Sequence, residues 1–245
     1  YSDRIPAENM AALVENAGRK VDGLMPAILA AGTAVLTRDE MELGAVLVDV
    51  GSSTTGIAVF QGGGPVHLAA FPMASDHITR DLQRLRLSWV QAEKLKVETT
   101  SPTDRLGNPN MVMNIPRVGD RGTLQIAHPL VAQVISQRAE AICEAVALEI
   151  RRCGLEPGDL SAGLIITGGG ARTRGLADTA AAITGLPAEI GYPRAADAPS
   201  ELLCTPEFSV AAGLAAMGFT RAGRKGRGAF TGPGKGMLKR VRSFL

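Results

Sequence analysis

AVLVDVGSSTTGIAVF, residues 45–60, has the form of a strand, a tight glycine turn and a second strand. Ala45 to Val50 is a short valine-rich apolar run, the pattern of a strand buried on both faces. Asp49 stands near its end, a carboxylate in an otherwise apolar stretch. Gly51-Ser52-Ser53-Thr54-Thr55 follows; small residues let backbone N–H groups approach an anion, and hydroxyls add donors. Gly56 to Gln61 resumes the strand. A carboxylate beside such a turn suits a nucleotide with a divalent metal between them, because magnesium is held by one or two carboxylates plus phosphate oxygens. The same residues also suit an ordinary hairpin whose turn holds nothing.

Residues 163–172, GLIITGGGAR, repeat the pattern: an apolar strand ends in Gly168-Gly169-Gly170, and a helix-like segment follows. Two strand-to-glycine turns can face each other across a cleft, one holding phosphates and the other letting a flat base lie on bare backbone. Neither turn carries G-x-G-x-x-G or G-x-x-x-x-G-K-[ST].

VDVGSSTTGIAVF resembles the second phosphate-binding segment of the actin-like ATPase superfamily, and LIITGGGAR its adenosine-binding segment. The order and spacing of AVLTRDEMELGAVLVDVG, PMASDHITRDL, QAEKLK and VISQRAE resemble the FtsA family of bacterial cell-division proteins, from about Asn9 to Phe219. The resemblance implies an α/β, actin-like (ribonuclease H-like) fold comprising the second lobe and a remnant of the first, with the N-terminal part missing. Residues 1–44 then end the first lobe and cross over, and 45–98 open the large subdomain of the second lobe. Residues 99–153 form its small subdomain, 154–204 complete the large one, and 205–220 are a last helix returning to the first lobe. A flexible basic linker (221–236) and an amphipathic membrane-targeting helix (237–245) close the chain.

The resemblance also implies roles. ATP and Mg2+ are the expected ligands, with Asp49 as the catalytic carboxylate, reaching the metal through water. Gly51, Ser52, Ser53 and Thr54 would hold phosphate. Glu93 and Lys96 would flank the ribose, although a surface ion pair is the commoner fate of two such residues three apart on a helix. Gly168, Gly169, Gly170 and Arg172 would meet the adenine. The tubulin-like FtsZ would dock on 99–153, and the protein would self-associate into actin-like polymers. It would sit peripherally on the cytoplasmic face of the membrane at the division site and tether FtsZ filaments there. On the same fold, a PilM-like pilus-assembly scaffold or an ATPase or small-molecule kinase are the alternatives.

Three positions depart from the family pattern. Gly51-Ser52-Ser53 stands where three glycines are usual, Gly56 where an aspartate follows Thr-Thr, and Ala74-Ser75 where a glycine pair lies near the phosphates. The loss of the aspartate points to weak or no hydrolysis. Only 44 residues precede Ala45, none forms the family's first phosphate loop, and the chain opens on Tyr1 rather than Met, so a partial sequence, or else a divergent protein with weak or no turnover, is expected.

The chain has 245 residues, 45% of them hydrophobic and 4% aromatic, which favours an aliphatic α/β core. Of its 26 Lys and Arg, eight lie in residues 221–245, which hold no Asp or Glu; the rest of the chain has 18 basic against 24 acidic side chains. An acidic body with a basic tail points to an anionic partner for the tail. Cys143, Cys153 and Cys204 are scattered and odd in number, so neither a disulfide framework nor a metal site is expected. No run reaches the ~20 apolar residues that span a bilayer.

In the tail, residues 221–236 carry six glycines and five basic residues and read as a linker. At helical spacing Met237, Leu238, Val241, Phe244 and Leu245 gather opposite Lys239, Arg240 and Arg242, an arrangement that suits anionic membrane lipid. A disordered end is another reading. Basic glycine-rich segments also bind RNA, but the apolar residues at the extreme terminus favour lipid, and no nucleic-acid partner is expected.

Helices are expected over 8–19, 76–87, 88–97, 129–153, 173–184 and 206–219. Strands are expected over 24–31 (leading into a helix), 65–73, 111–118, 123–127 and 188–192, and a polar turn at Thr37–Glu40. The buried stripe of the long helix is expected to be Leu130, Val134, Ala141, Ile142, Val146 and Ile150. Thr205 is the expected cap of the last helix.

Overall fold

A computed structural model describes residues 4–99, 111–117, 122–194 and 204–223. In chain order its elements are α1 (Arg4–Asn16), α2 (Ala27–Val35), α3 (Arg38–Leu43), β1 (Ala45–Val50), β2 (Thr55–Gln61), β3 (Gly64–Phe71), α4 (Ser75–Gln83) and α5 (Trp89–Glu98). There follow β4 (Val112–Pro116), β5 (Thr123–Ala127), α6 (His128–Arg152), β6 (Gly163–Thr167), α7 (Leu176–Thr184), β7 (Ala188–Ile190) and α8 (Ser209–Gly223).

The valine-rich β1 is the middle strand of a five-stranded sheet of order β3-β2-β1-β6-β7. It pairs antiparallel with β2 and parallel with β6. Gly62 and Gly63, with φ of +58° and +78°, make the two-residue loop between β2 and β3, a conformation that matches strand twist. Alternation along β1 sends Val46, Val48 and Val50 to one face, against α7 and the second half of α6. Ala45 and Leu47 go to the other, against α2 and α3. Small residues let α8 lie close on α2: a Cβ added to Gly213 would stand 1.8 Å from the Ala30 carbonyl oxygen.

A smaller body forms from α4, α5, the β4–β5 hairpin and the first half of α6, around Ile78, Leu82, Leu95, Ile115, Ile126 and Ile135. The 25-residue α6 therefore serves two cores, with Val131 and Ile135 in one and Val146 and Ile150 in the other.

Several expectations are corrected. No strand forms over 24–31; the backbone is irregular up to Pro26, the N-cap of α2, and no strand lies beside it to complete a ladder among the described residues. Thr37 to Glu40 is not a turn but the start of α3. The Thr37 side chain accepts from the Glu40 amide at 3.1 Å while the Glu40 carboxylate accepts from the Thr37 amide at 2.5 Å, a reciprocal cap that holds six residues helical. On α6, Leu130 is exposed and Val134 and Ala141 are half-buried; Val131, Ile135, Ala139 and Cys143 take the inner stripe instead. The segment after β6 turns as a 3-10 helix over Gly169–Arg172, so α7 starts only at Leu176. Thr205 makes no capping hydrogen bond through its side chain; Pro206–Phe208 form a 3-10 turn ahead of α8. Met237 to Leu245 and most of the linker lie outside the described residues. Among the described residues no helix is long and apolar enough to cross a membrane.

Candidate nucleotide-binding site

Because β1 and β6 run parallel and in register, with Asp49 beside Thr167, both glycine turns leave the sheet at the same end. The chain goes to β2 on one side of β1 and returns through β6 on the other, so this end is a topological switch point, where α/β sheets open a crevice. The second turn touches the end of β1. A Cβ on Gly168 would lie 2.2 Å from Asp49 Oδ1 and 2.6 Å from the Val50 carbonyl oxygen, and one on Gly170 would lie 2.4 Å from Val50 Cγ1. Gly168 also has φ +85°, so only glycine brings the second turn this near the end of β1. Asp49 is half-buried, and loss of solvent pushes its carboxyl above the ordinary aspartate range.

In the turn, the Gly51 amide donates to the Thr54 carbonyl at 3.0 Å. The amides of Ser52, Ser53 and Thr54 donate to nothing among the described residues, and all three residues are exposed. The turn's carbonyls are held from behind. The Ser75 amide and hydroxyl donate to the Gly51 carbonyl at 3.2 and 2.9 Å, and the Asp76 amide to that of Ser52 at 2.8 Å. The start of α4 thus holds the turn by its carbonyls and leaves those three amides without an acceptor. Ser53 Oγ reaches Asp76 Oδ2 at 3.5 Å.

Glu93 and Lys96 sit one turn apart on α5 and face α4 rather than the surface. Lys96 is 8% exposed, and its ammonium reaches Glu93 Oε1 at 2.7 Å, Thr79 Oγ1 at 3.0 Å and the Ser75 carbonyl at 3.4 Å. Thr79 Oγ1 hydrogen-bonds Glu93 Oε1 as well. The Glu93 side chain keeps about a third of its surface open. Arg172, at the end of the second turn, is exposed and pairs with Glu207 at 2.9 Å. Glu207 is held below the ordinary range, first by its own backbone amide and then by Arg172.

A separate cavity of about 400 Å³ opens beyond the second turn, between the start of α7 and the end of β7, with Arg172, Thr173, Leu176, Tyr192 and Thr205 in its wall. Asp49, the 51–54 turn and Glu93 are not part of that wall. Among the described residues no cluster of three His, Cys, Asp or Glu could hold a metal alone. The donor set fits a metal shared with phosphate: one carboxylate at the strand end, with outward amides beside it. The reading of the sequence missed Ser75, Asp76 and Thr79, which carry the support of the site. Ala74-Ser75 stood out there only as a departure from a glycine pair.

Comparison with known proteins places the chain in a family. The model of the cell division protein FtsA family matches residues 46–213. The FtsA of Neisseria meningitidis is 35% identical over 211 residues, covering 84% of this chain and 50% of that protein. This chain belongs to the FtsA family. The FtsA of Pseudomonas aeruginosa is 32% identical over 217 residues, with 88% and 52% covered. The chain thus spans about half the length of the FtsA proteins it matches. The fold is that of the actin-like ATPases. MreB5 of Spiroplasma citri bound to ADP superimposes with a TM-score of 0.73 at 18% identity, covering 92% of this chain and 68% of that one. The MamK double helical filament gives 0.61 at 18% identity, with 87% and 65% covered. In the PilM–PilN pilus biogenesis complex the figures are 0.60 at 20% identity, with 86% and 57% covered.

Proposed function

We propose that this chain is the nucleotide-holding lobe of an FtsA-like tether that links FtsZ filaments to the membrane. The observation that carries the nucleotide is the end of β1, where a glycine segment closes on the half-buried Asp49 and on Val50, and the three amides of the exposed turn that follows have no acceptor among the described residues. Ser52, Ser53 and Thr54 offer those amides to phosphate, Asp49 faces the metal through water, and Gly168 to Arg172 carry the adenine. MreB5 of Spiroplasma citri, with the same fold, is solved with ADP and with AMPPNP. The nucleotide acts as a conformational ligand, favouring one arrangement of the two lobes over others; Gly56, opposite Asp49 on β2, offers no carboxylate for turnover at that position.

FtsZ docks on 99–153, where Met111, Val112 and Leu130 leave apolar surface at the base of the hairpin. Self-association into filaments follows the likeness to MamK. The eight basic residues of 221–245 draw the chain to anionic lipid, and Met237, Leu238, Val241, Phe244 and Leu245 enter it. Titration calorimetry tests the cleft: heat with ATP and magnesium is expected, cut about tenfold or more in affinity by Asp49→Asn, the worth of one charge-assisted contact. No heat with the unmodified chain overturns the nucleotide. Co-sedimentation with phosphatidylglycerol vesicles tests the tail; the double variant Val241→Asp, Phe244→Asp is expected to stay in solution, and undiminished binding removes the helix from the proposal.

A further inference from the structure

We infer that Asp76 makes the 51–54 turn selective for phosphate that carries a metal ion and turns the bare anion away. The inference rests on the phosphate reading of that turn and deepens it. Asp76 is the second residue of α4 and meets the turn twice. Its amide donates to the Ser52 carbonyl at 2.8 Å, and its Oδ2 accepts from the Ser53 hydroxyl at 3.5 Å. The backbone bond fixes the residue against the turn. Its carboxylate then stands beside the loop whose amides at Ser52, Ser53 and Thr54 have no acceptor among the described residues. No Lys, Arg or His pairs with Asp76 among the described residues, whereas Asp81 on the same helix is held by Arg138 at 2.7 Å.

An acid in the first turn of a helix favours the helix by complementing its dipole. That role asks for a charge and nothing more, and Asp178 fills it in α7. Asp76 differs in what lies in front of it. An ionised carboxylate accepts hydrogen bonds and donates none, so it cannot bond a phosphate oxygen. A phosphate on the Ser53 amide would lie roughly 6 Å away, about two hydrogen-bond lengths from Oδ2. Like charges at that separation cost about tenfold in affinity. Asp49, in the strand before the turn, adds a second carboxylate of the same sign. A divalent cation removes the conflict, because magnesium takes carboxylate and phosphate oxygens together. Gly56 offers no carboxylate on the β2 side, so the acid that accompanies Asp49 comes from α4 instead.

The test is calorimetry on the 245-residue protein, with ATP in EDTA and with ATP and magnesium. Asp76→Asn keeps the shape and the acceptor for Ser53 but removes the charge. It is expected to tighten ATP in EDTA about tenfold and to leave Mg-ATP equal or weaker, so the gain from magnesium falls about tenfold or more. Asp178→Asn makes the same charge change in the first turn of another helix and is expected to keep the parent ratio. Asp76→Ser is a second neutral variant, and thermal melts check that each is folded. Pyrophosphate in EDTA reads the turn without a nucleoside: amide shifts at residues 52–54 are expected at about tenfold lower concentration in Asp76→Asn than in the parent. An unchanged magnesium ratio in both neutral variants leaves Asp76 a helix-dipole residue and overturns the inference, as does an equal change in Asp178→Asn. If the parent binds no nucleotide in either form, the nucleotide reading fails and pyrophosphate still decides. A stronger shift in Asp76→Asn then upholds the charge effect, and no shift in either protein overturns it.

Discussion

Asp49 is a residue whose charge works against the fold. Its carboxyl is pushed above the ordinary range by burial, and no cation pairs with it among the described residues. The sign follows from linkage. A group whose folded pKa is raised favours folding most below its unfolded pKa, and that advantage is lost as pH rises through the folded value. At neutral pH the charged Asp49 is therefore a cost to the fold. Asp49→Asn is expected to raise Tm at pH 7 by a few degrees, at about 2–4 °C per kcal/mol for a chain of this size. The gain should shrink as pH falls below the usual aspartate range, where the carboxyl is neutral folded and unfolded alike. Thermal melts across pH 4 to 8 check this, and a variant less stable than the parent at pH 7 contradicts it. Asp49 was legible in the sequence because an acid in a run of valines has no structural reason to be there. The contacts of Ser75 and Lys96 were not, because a buried hydrogen-bond chain between two helices leaves no periodic trace in either.

At the level of elements, β1, the 51–54 turn, β2 and the β6 glycine segment could be placed within a residue or two because their signals are local: apolar runs closed by glycine. Elements fixed by distant partners were harder. Leu130 and Val134 fit a helical stripe as well as Val131 and Ile135 do; the register was decided by the β4–β5 hairpin and α5, which cover Val131 and Ile135. The α3 cap was a signal present and unread, since Thr37 and Glu40 have the spacing of a reciprocal cap. The contact of α2 with α8 was foreshadowed only by small-residue content, and it gives a sharp test. In α8, Gly213 faces the Ala30 carbonyl and Gly218 faces open space. Gly213→Ala must push the helices apart, at a cost of about 3 kcal/mol, or roughly 6–12 °C in Tm. Gly218→Ala meets nothing and should gain about 0.5–1 kcal/mol from helix propensity alone. Two identical substitutions five residues apart should thus move Tm in opposite directions, and a Gly213→Ala protein as stable as the parent would show that the helices can separate freely.

The described residues form two bodies, the sheet with its helices and the smaller one, that share α6. Among the described residues, seventeen and eleven buried ones pack on the two faces of the five-stranded sheet, against nine in the smaller body. A core that small supports less stability, and opening free energies differ across a structure accordingly. The proposed cleft draws on both: β1 and β6 come from the sheet, α4 and α5 from the smaller body. The single tryptophan, Trp89, begins α5 and reports on the smaller body alone, whereas far-UV circular dichroism reports on all helices. In urea the fluorescence midpoint is therefore expected below the dichroism midpoint, and Ile135→Ala, a large-to-small change costing about 2–5 kcal/mol, should widen the gap by lowering the former. A nucleotide held between the bodies stabilises both by mass action, so Mg-ATP should draw the two midpoints together. Coincident transitions without nucleotide would mean that α6 transmits unfolding from one core to the other as a single unit. The cleft would then close by a motion outside this lobe rather than by the smaller body moving on the sheet.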